Sequence, residues 1–422
     1  MTLRRVVATG ATLKELDMSM HMAKKVVLPL LVSLLAALPA AAAVKVQCPG
    51  DTNGDAQWTG SEVQPANTRC IHLAAGDGFV TMADGKLQYS FGFTDVTGVP
   101  ENQVMETGML AAEFSAPTIK LKEGEHVYLT LSNVGMVMRP DLFDPHSVHF
   151  HGFPNAAPIF DGEPMASISI NMGSSLTYYY QAPEPGTYMY HCHVEATEHM
   201  QMGMLGNLYV TPLQDDLPNG TPLNLNGSTF VHTTGNKYVY NDGDGSTYYD
   251  VDFPIQIVGF DSRFHDQHIA IQPLPFAMMK DNYPMLNGRG YPDTVNPGAL
   301  AAPAENGGKL SQKVSARITA TAGQKVLLRI SSLATVDFFT LQSLGIPMKV
   351  VGRDARILRS STGQNLYYTT NSVTLGGGES VDVILDTTGI APGTYFLYAT
   401  DLNHLSNGPE DFGGMMTEIV IS

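Results

Sequence analysis

The 422-residue chain has three cysteines, one tryptophan and only 24 basic residues against 40 acidic ones. Three cysteines exclude a small scaffold held mainly by disulfides. A formal charge of −16 sets the chain against nucleic acid and anionic membrane surfaces, and its ordinary reading is solubility. Segments of helical periodicity are essentially missing, which removes bundles and doubly wound folds. Apolar runs long enough to span a bilayer are missing too.

Residues 23–43, "AKKVVLPLLVSLLAALPAAAA", combine two lysines, a short apolar run and a small-residue end. That pattern predicts a secretory signal peptide cleaved near Ala43, hence a periplasmic or extracellular protein. The stretch before it is unlike an n-region, which makes Met20 or Met22 a candidate start. Removing residues 1–43 takes away five basic and two acidic residues, so −16 becomes −19. In an oxidising compartment Cys48 and Cys70, close together in a loop-rich segment, are expected to form a disulfide. Cys192 is then left alone, and a lone thiol there calls for a partner such as a metal.

From residue 85 onward, short runs rich in Val, Ile, Thr and Tyr alternate with Gly, Pro and Asn turns. "G-x-x-V-x-L-x-x-S" occurs at Gly124–Ser132 and at Gly323–Ser331. "P-G-T-Y" occurs at Pro185–Tyr188 and at Pro392–Tyr395. This internal duplication predicts an all-β chain of two like sandwiches. The expected division is a leader over 1–43, a loop-rich segment over 44–84, one domain over 85–213, a linker over 214–229 and a second domain over 230–422.

Two stretches carry chemistry: "DPHSVHFHGF" (144–153) and "YMYHCHVEATEHMQMGM" (188–204). In a strand, side chains alternate between faces. His149 and His151 then share a face. His191 and His193 share one as well, with Cys192 on the opposite side. The thiolate side gathers His146, Cys192, His199 and Met204, a donor set suited to a blue-copper electron-transfer site. Met200 and Met202, beside His199, read as an exposed hydrophobic rim around a docking patch, with cuprous-ion binding as the alternative.

At these residues the chain resembles the multicopper oxidase family, through "HSVHFHG", the His-Cys-His run ending at Met204, and "IFDGEP…GTYMYHCH" between them. The resemblance covers about residues 85 to 422 and implies two cupredoxin-like Greek-key β-sandwiches. It implies a type 1 copper at His146, Cys192, His199 and Met204. It also implies half of a trinuclear copper cluster at His149, His151, His191 and His193. Asp161 stands where relatives carry a carboxylate near the cluster, a candidate proton relay, with a plain turn aspartate as the alternative. Six residues separate Cys192 from His199, where the family usually has four.

The second domain looks like the copper-free middle domain of three-domain laccases. Aligned on its "VVGRD" and "GTY" landmarks, Thr340, Gln342, Tyr398 and Thr400 stand where histidines would be. His265 and His268 read as surface groups, and His232, His72 and His126 receive no role. His404, on a loop, is a candidate ligand to a neighbouring subunit. Asp51, Asn53, Asp55 and Glu62 occupy the first, third, fifth and twelfth places of an EF-hand-like loop, so calcium stands beside an Asx-rich turn as a reading.

Together these imply an exported copper oxidoreductase. It would oxidise a small-molecule, metal-ion or protein donor at type 1 copper and reduce oxygen at a His-bound copper. The chain would be a homo-oligomer, a trimer being one form. The alternatives are a blue-copper carrier without turnover and a copper nitrite reductase-like enzyme.

Overall fold

Thr68–Thr81 forms one long strand, β1, so only the part of the 44–84 segment before it is loop. The pattern "TRCIHLAAGDGFVT" buries both faces over most of its length, which hides the period-two signal. The computed structural model describes residues 44–153 and 156–422, and the signal-peptide expectation lies outside the described residues.

The first sandwich continues with β2 (Leu87–Asp95), β3 (Ala116–Lys122), β4 (His126–Gly135) and β5 (His149–Phe150). It closes with β6 (Ser175–Gln181), β7 (Gly186–His191) and β8 (Leu205–Thr211). One sheet runs β2-β1-β4-β6 and the other β3-β8-β7-β5. Leu129, Leu131 and Tyr178 from the first sheet meet Phe150, Tyr190 and Leu208 from the second in a buried core.

The second sandwich comprises β9 (Val251–Val258), β10 (Ile318–Ala320), β11 (Lys325–Ser332), β12 (Phe339–Leu344) and β13 (Met348–Arg353). β14 (Ser372–Leu375), β15 (Ser380–Asp386), β16 (Gly393–Ala399) and β17 (Met416–Ile421) complete it. Its sheets contain the orders β9-β11-β15-β13 and β10-β17-β16-β12-β14. The repeat seen in the sequence is thus a repeat of topology. β1 lies parallel to β4 as β9 does to β11, and β3 lies parallel to β8 as β10 does to β17.

Among the described residues three short α-helices interrupt this frame: α1 (Val104–Gly108), α2 (Ala196–Met202) and α3 (Ser262–Ile269). They span five, seven and eight residues, too short for a periodic apolar stripe to stand out in the sequence. No helix among the described residues is long and apolar enough to cross a membrane.

Cys48 and Cys70 are bonded, tying the N-terminal loop to β1 across 22 positions. Within that loop Asp51 accepts from the N–H groups of Asn53, Gly54 and Ala56, and Glu62 from Thr52 and Thr59. The hydroxyl of Thr52 leads the donors that hold the Glu62 carboxyl down to about 2. The carboxylates are therefore satisfied by the loop itself, as in an Asx-type turn. Replacing both cysteines by serine should lower stability by about 3 kcal/mol, because a closed loop of this length restricts the unfolded chain. The check is the thermal midpoint, and an unchanged midpoint would refute it.

The two sandwiches meet at a buried polar junction. Thr187 of β7 donates to Asp382 of β15 at 2.6 Å, and Ser380 donates to the Thr187 carbonyl at 2.6 Å. Arg329 of β11, 0% exposed, pairs with Asp252 at 3.0 Å and donates to the Tyr249 hydroxyl at 3.1 Å. Its guanidinium lies over the Tyr209 ring, 4.4 Å from the centroid.

Candidate metal centre

β5 and β7 are hydrogen-bonded neighbours, with His149 opposite His191 and Phe150 opposite Tyr190. Phe150, Tyr190 and Cys192 turn into the core, so His149, His151, His191 and His193 are left on the other face. The alternation read from the sequence thus splits the segment into a thiolate side and an imidazole side.

On the thiolate side, Cys192 Sγ lies 3.1 Å from His199 Nδ1 and 3.9 Å from His146 Nδ1. The Ser147 N–H approaches the sulfur at 3.5 Å. Cys192 N–H bonds the Met204 carbonyl at 3.0 Å, and Met204 N–H bonds the His199 carbonyl at 2.8 Å, which draws the segment back on itself. The long spacing between Cys192 and His199 is taken up by α2, which begins after Glu195 at φ +45° and carries His199 inward. His146, Cys192, His199 and Met204 are all 0% exposed.

Burial alone would raise the Cys192 thiol, but His199 and His146 outweigh it and hold the thiol down to about 5. The Nε2 atoms of His146 and His199 point away from the sulfur, buried and without a hydrogen-bond partner. That of His199 stands 3.2 Å from Asp144 Oδ1, an ion-pair distance off the hydrogen-bonding axis. A buried thiolate, two imidazole nitrogens facing it and an adjacent thioether fit copper better than a harder ion.

On the imidazole side, the backbone fixes the tautomers. His149 Nδ1 donates to the Asp161 carbonyl at 2.6 Å, and His191 Nδ1 donates to the Cys192 carbonyl at 2.8 Å. A carbonyl only accepts, so each Nδ1 carries the hydrogen and each Nε2 keeps a lone pair. Burial holds His191 down to about 3 and lowers His151 as well, keeping both neutral. His151 Nε2 and His191 Nε2 face each other at 3.0 Å. One ligand nitrogen each from His149, His151 and His191 falls within 4.8 Å of the others. The His193 ring stands 4.9 Å from that of His149. Converging imidazole nitrogens, with the His149 and His191 rings oriented by carbonyls, are what a metal site requires.

Asp161 acts on His149 first through its backbone. Its carboxylate Oδ2 is 3.6 Å from His149 Nδ1 and 38% exposed. Gly162 lets this loop lie against β5: at φ +79°, a Cβ there would come within 2.1 Å of the Val148 carbonyl oxygen.

Three sequence expectations are corrected. His265 and His268 are buried, not at the surface, because α3 packs on β2 and α2. His265 sets its ring nitrogens against the Tyr89 and Gln201 carbonyls. His268 bonds Glu198 at 2.8 Å, and its ring meets Phe91 at 4.8 Å. Met202 is likewise 0% exposed, within the first core, and Met200 is partly buried. Third, the register in the second sandwich pairs Gln342 with Tyr398 just as His149 pairs with His191. The counterparts of His149 and His151 are therefore Gln342 and Leu344, two residues beyond Thr340. The conclusion that this domain offers no histidines at these positions is unchanged. His404 packs on Phe339 at 4.6 Å and stands 4.0 Å from Asp337, within its own sandwich.

Asp144 and the packing of α3 on β2 and α2 are not marked in the sequence. Asp144 sits two residues before His146 and was within reach of motif reading. The α3 contacts join positions 64 to 176 residues apart and leave no local pattern.

Two family models, both described as multicopper oxidase, match residues 94–215 and 274–419. Laccase abr2 of Aspergillus fumigatus is 30% identical over 128 residues, covering 30% of this chain and 20% of that one. Multicopper oxidase MmcO of Mycobacterium tuberculosis is 32% identical over 102 residues, covering 24% and 17%. The matched stretch thus spans about a fifth or less of these curated relatives. Among solved structures, a blue copper oxidase from Nitrosomonas europaea superposes with a TM-score of 0.59 at 21% identity, covering 84% of this chain and 86% of its own. A copper nitrite reductase from the same organism gives 0.55 at 16%, covering 84% and 94%. These structural likenesses describe the fold, two cupredoxin-like sandwiches.

Proposed function

The chain belongs to the multicopper oxidase family, and from that premise we propose that it is an exported copper-dependent oxidoreductase that passes single electrons from a donor to oxygen. Copper is the family's cofactor. Here His146, Cys192, His199 and Met204 would hold a type 1 copper, and His149, His151, His191 and His193 would hold further copper. Bound copper supplies one-electron redox chemistry at the thiolate side and oxygen reduction at the imidazole side.

The observation that carries the reading is the shared strand end. Cys192 faces one site while its chain neighbours His191 and His193 face the other, so a few covalent bonds connect them. The remaining residues orient and shield. Asp144 stands over the outward nitrogen of His199, and Phe91 packs on its ring at 5.7 Å. The Asp161 carboxylate, half-exposed beside His149, is placed to hold a proton at Oδ2 and hand it inward. Export is supported by the Cys48–Cys70 bond, which persists in oxidising compartments. Since Gln342, Leu344, Tyr398 and Thr400 bring no imidazole, water or a second copy of the chain completes the imidazole side. That is the ground for a homo-oligomer, with His404 a candidate contribution across its interface.

The test is copper per chain together with oxygen uptake, using phenolic, metal-ion and protein donors. More than one copper and oxygen uptake are expected. A His149→Ala, His151→Ala double variant should keep the blue absorption, lose the additional copper and take up no oxygen. A protein holding one copper that consumes neither oxygen nor nitrite would instead be an electron carrier. Nitrite consumption without oxygen uptake would favour the reductase alternative.

A further inference from the structure

We propose that the electron donor is a ferrous ion, taken up by the carboxylates of Glu195 and Glu198 at the outer edge of His199. This rests on the reading of His146, Cys192, His199 and Met204 as type 1 copper ligands.

Residues three and four apart share one face of a helix, and α2 with the residue before it puts Glu195, Glu198 and His199 on such a face. One carboxylate oxygen from each glutamate and one ring nitrogen of His199 lie within 4.8 Å of one another. Glu195 is exposed and the Glu198 side chain 14% exposed, so the pair opens to solvent, whereas His199 is 0% exposed. The His199 Nδ1 faces Cys192 Sγ at 3.1 Å, and its Nε2 is buried without a hydrogen-bond partner. An orphaned buried nitrogen beside two carboxylates separates this face from an ordinary acidic helix start.

The second sandwich holds Glu198 in place. Arg139 can only donate, and its Nη1 reaches His268 Nδ1 at 3.2 Å, so that nitrogen is the acceptor. The ring hydrogen is then on Nε2, which donates to Glu198 Oε1 at 2.8 Å. A neutral N–H orients the carboxylate without cancelling its charge, and the other oxygen is left for a cation. Arg139 itself pairs with Asp141 at 2.7 Å. A formal charge of −16 favours the approach of cations over anions.

Carboxylates suit hard and borderline divalent ions, and ferrous iron is one that gives up a single electron. Each ferrous ion would lose one electron through the His199 ring and leave as ferric iron. Oxygen, the acceptor in the functional reading, collects these electrons with protons from solvent and leaves as water.

Manganous ion is the binding probe, because it stands lowest in the divalent affinity order and leaves bound copper in place. Titration calorimetry on the copper-loaded protein should find a manganous site that is lost in Glu195→Gln, Glu198→Gln. The same variant should raise the KM for ferrous iron by at least about 10-fold, the scale of loss when a metal site is disturbed, with the blue absorption kept. Glu410→Gln, Asp411→Asn is the control, since both residues are exposed on a hairpin of the second sandwich and the charge removed is equal. Absence of a manganous site in the wild type, its retention in the double variant, or an equal loss in the control would reject the proposal. Oxygen uptake with phenols and none with ferrous iron would overturn it as well. If no donor supports oxygen uptake, the functional reading fails, and manganous binding still decides the site.

Discussion

Cys192→Ser is expected to give a colourless protein with one copper fewer per chain and donor oxidation reduced to background. The sulfur is the group that both side-chain nitrogens of the thiolate side face, and no other thiol exists on that side. His199 and His146 prepare it as a thiolate despite full burial, whereas a serine hydroxyl stays protonated and offers a hard oxygen. The substitution removes little volume, so the sandwich itself should survive with an unshifted far-ultraviolet circular dichroism spectrum. Retention of the blue absorption in the variant would defeat the assignment of the thiolate side.

The second large effect concerns stability. Arg329→Ala should cost about 3–5 kcal/mol, the range for removing one partner of a buried ion pair. Asp252 would lose its partner at 3.0 Å, and Asp382, 1% exposed, would lose its neighbouring cation. The aromatic face of Tyr209 in β8 would lose the guanidinium that covers it. Because these groups sit where β7 and β8 meet β11 and β15, the loss falls on the junction between the sandwiches. Denaturant unfolding measures it, and a change below about 1 kcal/mol would show that the network contributes little. Arg329→Lys should recover only part, since an ammonium has no planar fork to reach both Asp252 and Tyr249.

The sequence made the candidate metal centre legible because the residues that would hold copper are local. His146 to His151 and His191 to Met204 each fall within one short segment, and strand alternation sorts them into two faces without any long-range information. The duplication was legible for a similar reason, since "G-x-x-V-x-L" and "P-G-T-Y" mark the same strands twice. β1 was missed because both its faces are buried, which erases alternation. His265 and His268 were misread because an H-x-x-H on a short helix looks the same whether the helix lies on solvent or on another domain. The second-domain register slipped by two because sequence landmarks fix one strand of a pair, while hydrogen bonding fixes its partner.

The burial of the thiolate side carries a kinetic corollary. His146, Cys192, His199 and Met204 are 0% exposed, and α2, which carries His199, is pinned to α3 by His268 to Glu198 and by His265 to Gln201. An ion can enter or leave only when these residues are exposed, so exchange is paced by a local opening rather than by the strength of the bonds to the ion. Such a centre would keep its metal against a stronger external chelator for as long as the opening remains rare.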